Sequence, residues 1–286
     1  MWEGADVRHV TVAAVQLSSG SDVESNVTRA IDLIALAARQ GATYVQVPEY
    51  FNYLGPPKSF ERAAEPIPGP TTDRMADVAR EVGVTLHLGS LLERSPIAGK
   101  FFNTSVLLSS TGDIIATYRK IHLFDVDLPG EIVHRESDAT AAGDELVVAN
   151  LTLFALGMTI CFDVRFPELY RALASEGAEL FAVPAAFNAV TGAAHWDTLI
   201  RARAIENHAF VVAAAQVGTT NEGIATYGHS MIVDPWGVVV GQSLTNQPEV
   251  VMATIDLDEV LRRRHQIAVM QYRRPDLYGS GVRITD

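Results

Sequence analysis

Short runs of apolar, often β-branched residues alternate with helix-patterned stretches along most of this chain, and that alternation leaves few architectures open. Residues 10–17, read VTVAAVQL, form a strand-like run, and Ser21-Asp-Val-Glu24 offers a capping box to a helix ending near Gly41. The same reading predicts strands at 43–47, 84–92, 180–183, 210–215 and 250–255, and helices at 72–82, 167–175, 195–207 and 257–265. Residues 101–109 and 114–121 read as a hairpin around Ser110-Thr-Gly-Asp113, and 230–240 as another around Asp234-Pro-Trp-Gly237. Strand-like stretches at 146–150 and 151–156 precede Gly157-Met-Thr-Ile-Cys161. The segments 54–70 and 122–144 read as irregular loops, the second long enough to suggest a functional role. Mixed strands with helices between them imply an α/β fold with helices on both sides of a sheet system. With no internal repeat or linker in view, a single domain over 1–286, its core about 10–278, is the expected organisation.

Three side chains with chemical reach stand where apolar runs give way to loops. Glu49 follows Val47-Pro48, Lys120 ends the first hairpin, and Cys161 lies at a strand-to-helix turn. Such carboxyl edges are where α/β folds build sites. A thiol near neutral pH needs a base to take its proton or a cation to stabilise its thiolate, and this set offers both. Taken singly, each residue has a structural reading as well: a buried cysteine, a helix-entry acid and a strand-end charge. Asp163, Arg165 and Glu168 after Cys161 are more polar than a purely structural core turn requires.

Bulk properties close off other classes. A net charge of −12, from 34 acidic and 22 basic residues, does not suit a surface made for phosphate backbones or anionic lipid, so no nucleic-acid or membrane partner is expected. Arg262, Arg263, Arg264, Arg273 and Arg274 read as a solvated face or a subunit contact near the tail 271–286. Cys161 is the only cysteine, which excludes an internal disulfide framework and Cys-rich zinc sites. Neither a signal-peptide-like start nor a bilayer-length apolar run is visible, giving the expectation of a cytoplasmic protein. His122, His195 and His229 lack partners at zinc-like spacing, and the glycines form no phosphate loop, so no metal or cofactor is expected.

The text around the three side chains resembles the nitrilase superfamily of carbon–nitrogen hydrolases. Val-Pro-Glu49-Tyr-Phe, Tyr118-Arg-Lys120-Ile-His-Leu-Phe-Asp and Cys161-Phe-Asp-Val-Arg-Phe-Pro-Glu-Leu resemble its three signature segments, and the match runs from Val10 to about Tyr278. The resemblance implies a four-layer α-β-β-α sandwich, a homodimer or higher homo-oligomer, and a Glu49–Lys120–Cys161 triad. In it Cys161 attacks the substrate carbon, Glu49 shuttles protons, and Lys120 with the Phe162 backbone N–H stabilises the oxyanion. Glu136 matches a second glutamate that positions the lysine; its other reading is a solvated loop acid.

Within the family, several stretches resemble the branch containing deaminated glutathione amidase: residues 122–127, Ala193-Ala-His-Trp196, Tyr227-Gly-His-Ser-Met231 and Arg273-Arg-Pro-Asp-Leu-Tyr278 among them. That likeness implies that Arg165 grips a substrate carboxylate, a task suited to a guanidinium, with Phe187 and Thr191 flanking the substrate. An ion pair of Arg165 with Glu168 or Asp163 is the structural alternative, and Phe187 and Thr191 equally read as core and turn residues. Asn188, in Ala-Phe-Asn, points to the neighbouring omega-amidase branch, which acts on alpha-ketoglutaramate. The expected activity is hydrolysis of a small carboxylate-bearing amide through a cysteine thioester. Another amide or carbamoyl hydrolase, a redox-active thiol protein and a silent scaffold are the competing readings.

Overall fold

The computed structural model describes residues 7–130 and 132–278. The expected tail beyond Tyr278 and the first six residues lie outside the described residues. The chain opens with β1 (His9–Gln16), crosses through α1 (Val23–Arg39) to β2 (Tyr44–Gln46), then passes α2 (Phe60–Ala63) and α3 (Pro70–Val82) to β3 (Thr85–Arg94), β4 (Phe101–Leu108) and β5 (Ile114–Arg119). A small hairpin, β6 (Asp125–Leu128) and β7 (Ile132–Arg135), leads to β8 (Val148–Asn150) and β9 (Ala155–Met158). From there α4 (Pro167–Ser175), β10 (Leu180–Ala182), α5 (Ala189–Asn207) and β11 (Phe210–Ala213) follow in turn. The short pair β12 (Val217–Thr219) and β13 (Ala225–Tyr227) precedes β14 (Met231–Val233), β15 (Val239–Gln242) and β16 (Glu249–Asp256). Helices α6 (Asp258–Gln266) and α7 (Pro275–Tyr278) end the described chain.

Two six-stranded sheets result, ordered β16-β1-β2-β3-β4-β5 and β15-β14-β11-β10-β9-β8. Successive side chains of β1 point to opposite faces. Val10, Val12 and Ala14 enter a core shared with Leu156, Met158 and Ala182 of the second sheet and with Tyr170, Trp196 and Ile200 of α4 and α5. Ala13 and Val15 face the other way, into a core with Val27, Ala30 and Ile34 of α1 and Met75 of α3. Because each sheet is apolar on both faces, each must be covered twice, and the four-layer α-β-β-α sandwich satisfies that requirement. Burying each such Val, Leu or Ile contributes roughly 1.5–3 kcal/mol.

The two sheets are built alike. In each, three central parallel strands reached through two helical crossovers are flanked by antiparallel neighbours: β1, β2 and β3 in one, β9, β10 and β11 in the other. Registers place Gln46 opposite His87 and Ala182 opposite Val212, and both β2 and β10 continue into Val-Pro, at Val47-Pro48 and Val183-Pro184. The last antiparallel pair of each sheet shifts register at the same place, between Leu107 and Leu108 and between Ile232 and Val233. Equivalent turns follow: the Ser109 N–H donates to Asp113 O and the Gly112 N–H to Ser109 O, matched by Asp234 to Val238 and Gly237 to Asp234. No repeat was expected from the sequence, yet the backbone repeats once, and a stretch of sequence repeats with it: Gly41-Ala42, Val47-Pro48 and Phe51-Asn52 recur as Gly177-Ala178, Val183-Pro184 and Phe187-Asn188.

Several expectations need local correction. The first helix is capped by Asp22, whose Oδ1 accepts the Ser25 N–H at 3.1 Å, one residue later than the capping box suggested. Helix α5 starts at Ala189 rather than 195, with Asn188 Oδ1 accepting the Val190 N–H at 2.9 Å as its cap. The Val-Thr-Gly in its first turn hid that start; Gly192 is tolerated because a Cβ there would lie 2.4 Å from Tyr227 Cβ. Residues 54–70 hold α2, and 122–144 hold the β6–β7 hairpin and a 3₁₀ turn at Glu136–Asp138. Among the described residues, no helix is long and apolar enough to cross a membrane.

Candidate active site

The carboxyl ends of the parallel strands from both sheets converge. The Leu17 N–H donates to Ala215 O and the Val217 N–H to Leu17 O at 2.7 Å, stitching the sheets together at this end. Glu49 stands three residues past β2, Lys120 directly past β5, and Cys161 opens the 3₁₀ turn Cys161–Arg165 beyond β9. Glu136 heads the 3₁₀ turn after β7. All four are buried, with Glu49 and Lys120 each only 2% exposed, so their charges interact in a medium of low dielectric.

Lys120 Nζ donates to Glu49 Oε1 at 3.0 Å and to Glu136 Oε2 at 2.8 Å. Each acid has further donors. The Ala186 N–H reaches Glu49 Oε2 at 2.7 Å, the Phe124 N–H reaches Glu136 Oε2 at 2.7 Å, and Tyr50 OH donates to Glu136 Oε1 at 3.1 Å. Burial disfavours the Lys120 ammonium, but Glu136 and Glu49 more than offset it and hold its pKa well above the ordinary lysine value. Burial likewise opposes ionisation of Glu136, yet Lys120 and the hydrogen bonds it accepts keep its carboxyl below the usual range. The thiol behaves oppositely. Burial, followed by the negative charge of Glu49, pushes Cys161 well above the ordinary thiol pKa, with Lys120 opposing only in part. At rest the site therefore holds a neutral thiol beside a carboxylate and an ammonium.

Cys161 adopts φ +48°, a left-handed conformation that non-glycine residues rarely take, and its N–H is anchored to Pro184 O at 2.9 Å. Asp163 secures the turn. Its Oδ2 accepts the Ile160 N–H at 2.8 Å and Tyr118 OH at 2.7 Å, and its Oδ1 lies 2.8 Å from His122 Nδ1. Tyr118 and His122 bracket Lys120, so one buried carboxylate ties the lysine segment to the cysteine turn. His122 also stacks on Phe166 at 3.6 Å between ring centres.

Cys161 lines two adjoining spaces. A cleft of about 320 Å³ runs past Glu49, Tyr50, Tyr53, Phe60, Phe124, Glu136 and Glu222. A smaller pocket is walled by Phe162, Arg165, Phe187, Asn188 and Thr191. The guanidinium of Arg165 is half-buried, lies over the Phe187 ring at 5.3 Å, and is 3.2 Å from His195 Nδ1. Among the described residues it pairs with no carboxylate; Asp163 is engaged elsewhere. Thr191 Oγ1 is buried with no hydrogen-bond partner among the described residues. Trp196 Nε1 donates to His229 O at 2.9 Å, and its ring packs on Phe187. Among the described residues, no cluster of three or more His, Cys, Asp or Glu side chains could hold a metal ion.

All eight residues singled out from the sequence thus meet around one thiol, Glu49, Lys120 and Glu136 on one side and Phe162, Arg165, Phe187 and Thr191 on the other. Sequence reading missed Asn103, Tyr50 and the Ala186 and Phe124 N–H groups. Nothing in the sequence singled them out: Asn103 is one of three successive polar residues, Asn103-Thr-Ser105, in its strand.

A buried acid, amine and thiol held between the strand ends of a four-layer sandwich define a carbon–nitrogen hydrolase, and the carbon–nitrogen hydrolase family model matches residues 11–264. The chain belongs to this family, within the nitrilase superfamily, and is a hydrolase acting on amides. It is 44% identical over 274 residues to the deaminated glutathione amidase of Bos taurus, covering 94% of this chain and 83% of the relative. To human omega-amidase NIT2 it is 40% identical over 267 residues, covering 93% and 96%. The Caenorhabditis elegans NitFhit protein superimposes with a TM-score of 0.87 at 37% identity, covering 96% of this chain and 67% of that one. A Glu-to-Gln mutant of an amidase from Nesterenkonia sp. AN1 superimposes with a TM-score of 0.78 at 25% identity, covering 96% and 98%. That protein carries the acetamide moiety of fluoroacetamide covalently on its active-site cysteine.

Proposed function

We propose that this chain hydrolyses a small amide bearing a carboxylate, with deaminated glutathione as the preferred substrate, through a thioester on Cys161. The observation that carries the substrate class is Arg165, a half-buried cation in the pocket that Cys161 and Thr191 share, where among the described residues neither the guanidinium has a carboxylate partner nor the Thr191 hydroxyl a hydrogen-bond partner. A guanidinium there is suited to paired hydrogen bonds with a carboxylate. The volume of the larger cleft supports a substrate whose leaving amine is itself sizeable, since a primary amide releases only ammonia and leaves that volume unused.

In this mechanism the Cys161 thiol gives its proton to Glu49 as sulfur bonds to the amide carbon. The carbonyl π electrons move to oxygen. Lys120 has three N–H donors, of which Glu49 and Glu136 take two, and the third is directed to the oxyanion. The Phe162 N–H, between those of Cys161 and Asp163 that are committed to Pro184 and Ile160 carbonyls, is the second donor. Glu49 then passes the proton to the departing nitrogen, the C–N bond breaks and a thioester remains. Water, deprotonated by Glu49, attacks the thioester carbon; the C–S bond breaks and sulfur recovers the proton as the acid leaves.

The test is release of amine or ammonia and free acid from deaminated glutathione and alpha-ketoglutaramate side by side, with Cys161→Ala as the blank and Arg165→Ala as the probe of the carboxylate. Faster turnover of the first, with a loss of roughly 10- to 100-fold in kcat/KM for acidic amides on Arg165→Ala and much less for neutral ones, is expected. Preference for alpha-ketoglutaramate assigns the omega-amidase reaction instead. Equal losses on acidic and neutral amides remove Arg165 from substrate binding.

A further inference from the structure

Asn103 on β4 is fully buried, and its carboxamide stands between the two acids that flank Lys120. Nδ2 donates to Glu49 Oε1 at 2.8 Å and to Glu136 Oε1 at 3.2 Å. The backbone carbonyl of the same residue accepts the Lys120 N–H at 2.9 Å. One residue therefore fixes the start of the lysine side chain and both carboxylates at its end. The amide can face only one way, because rotating it would set Oδ1 against two carboxylate oxygens. In the orientation adopted, Oδ1 is buried without a hydrogen-bond partner among the described residues. Leucine fills nearly the same shape without stranding an acceptor, so packing alone does not account for an asparagine here.

We propose that Asn103 is a positioning residue for amide hydrolysis, holding Glu49 and Glu136 on either side of the Lys120 ammonium so that Glu49 stays oriented toward the Cys161 thiol. This rests on Glu49, Lys120 and Cys161 being the reacting groups. Without Asn103 the two acids would repel across the ammonium with no donor between them, Glu49 then being held only by Lys120 and the Ala186 N–H. The hydrogen bond from Asn103 is also one of the interactions that hold the Glu136 carboxyl below its usual range, after Lys120 and the Phe124 N–H. Glu136 is faced by Lys120 from beyond β5, by Glu49 and Tyr50 from beyond β2, and by Cys161 from beyond β9. Removing the amide donor makes protonation of Glu136 easier and moves any limb that depends on it to higher pH.

The experiment compares Asn103→Leu and Asn103→Asp with the unmodified full chain. It measures kcat and KM against pH with the preferred amide, and the pH dependence of Cys161 alkylation by iodoacetamide, followed by intact mass at this sole cysteine. For Asn103→Leu we expect kcat to fall about 10- to 100-fold with KM little changed, and the acid limbs of both profiles to move to higher pH. A folded variant with unaltered kcat overturns the proposal, as does a loss of kcat with both limbs unmoved, which is the mark of packing alone. If Asn103→Leu does not fold, the near-isosteric Asn103→Asp decides. Its loss should be greatest at high pH, where a third carboxylate faces the first two; a pH-independent loss overturns the proposal. Should the unmodified chain hydrolyse no amide, the alkylation profiles still read the effect of Asn103 on the thiol, so failure of the proposed function and failure of this inference are distinguishable.

Discussion

The two halves of the molecule share a backbone plan and divide the chemistry between them. In the first, β2 runs into Val47-Pro48-Glu49; in the second, β10 runs into Val183-Pro184-Ala185. The register that pairs Gln46 with His87 and Ala182 with Val212 makes Glu49 and Ala185 equivalent positions. Likewise, pairing of Ala14 with Gln46 and of Met158 with Ala182 makes Leu17 equivalent to Cys161. Where the first half places an acid the second has a methyl group, and where the second places a thiol the first has a core leucine. Neither half holds a reacting pair alone. Their joining is what brings base and nucleophile together, and the Ala186 N–H of the second half seats the carboxylate of the first.

The sharpest way to break this division is Glu49→Ala, which turns Val-Pro-Glu into the Val-Pro-Ala of the other half. We expect kcat/KM to drop roughly 10³- to 10⁴-fold, since the thiol is held protonated by burial and then has no base. Lys120 keeps Glu136 as a partner, so the fold should survive. Retention of activity within tenfold in the steady-state assay would show that the first half does not supply the base.

Lys120→Met tests the electrostatic side of the same division. It leaves Glu49 and Glu136 buried without their cation, which costs about 3–5 kcal/mol at neutral pH. The sign with pH follows from Glu136. In the native chain its carboxyl is held below the ordinary value, so the stability it contributes is present above the unfolded-state pKa and is lost as pH falls through the folded one. Without the ammonium, burial raises that carboxyl instead, and the variant gains stability on acidification. Urea unfolding from pH 7 toward about pH 4 should show the gap between the two chains narrowing; a gap independent of pH would mean that the loss comes from packing rather than charge.

Glu49, Lys120 and Cys161 were legible as candidates because each ends an apolar run, a local pattern that needs no knowledge of partners, and their grouping as a triad came from the resemblance to the nitrilase superfamily. Asn103 was not. Its meaning lies in Glu49 and Glu136, brought to it by the pairing of β2, β3 and β4 and by the bridge between Phe101 and Thr140. Asp163 was visible as a polar residue, but its link to Tyr118 and His122 spans the two sheets. The repeat escaped notice because, outside one twelve-residue stretch, it preserves backbone requirements rather than side chains. Identity is confined to Gly41-Ala42, Val47-Pro48 and Phe51-Asn52 around the middle strand, which recur as Gly177-Ala178, Val183-Pro184 and Phe187-Asn188, and to positions such as the glycine closing each distal turn, Gly112 and Gly237. Helices on both sides of a sheet system were readable from alternation, and the four layers followed from the resemblance to the nitrilase superfamily, whereas the start of α5 was not legible, because Val190, Thr191 and Gly192 are poor helix formers held there by the Asn188 cap and the contact with Tyr227.

The smallest effects sharpen the comparison where the two backbones differ. Gly89 of β3 and Ala214 after β11 are equivalent, each two residues past the pairs Gln46–His87 and Ala182–Val212. A Cβ on Gly89 would lie 2.0 Å from Val47 O and 2.5 Å from the Pro48 carbonyl carbon, so the first half needs glycine for the segment carrying Glu49 to pass close. In the second half Ala214 accepts the Ala185 N–H at 2.8 Å with its methyl accommodated. Gly89→Ala should therefore lower stability by about 1–3 kcal/mol and, by displacing Glu49, reduce kcat on the order of 10- to 100-fold. Ala214→Gly should cost roughly 1 kcal/mol and leave kcat within about twofold, because no reacting carboxylate depends on that passage. Thermal unfolding together with steady-state rates on the two variants checks both. Similar kcat losses from the two substitutions would mean that the second half positions the reacting groups as stringently as the first, and the asymmetry drawn from Glu49 and Ala185 would not extend to the strands behind them.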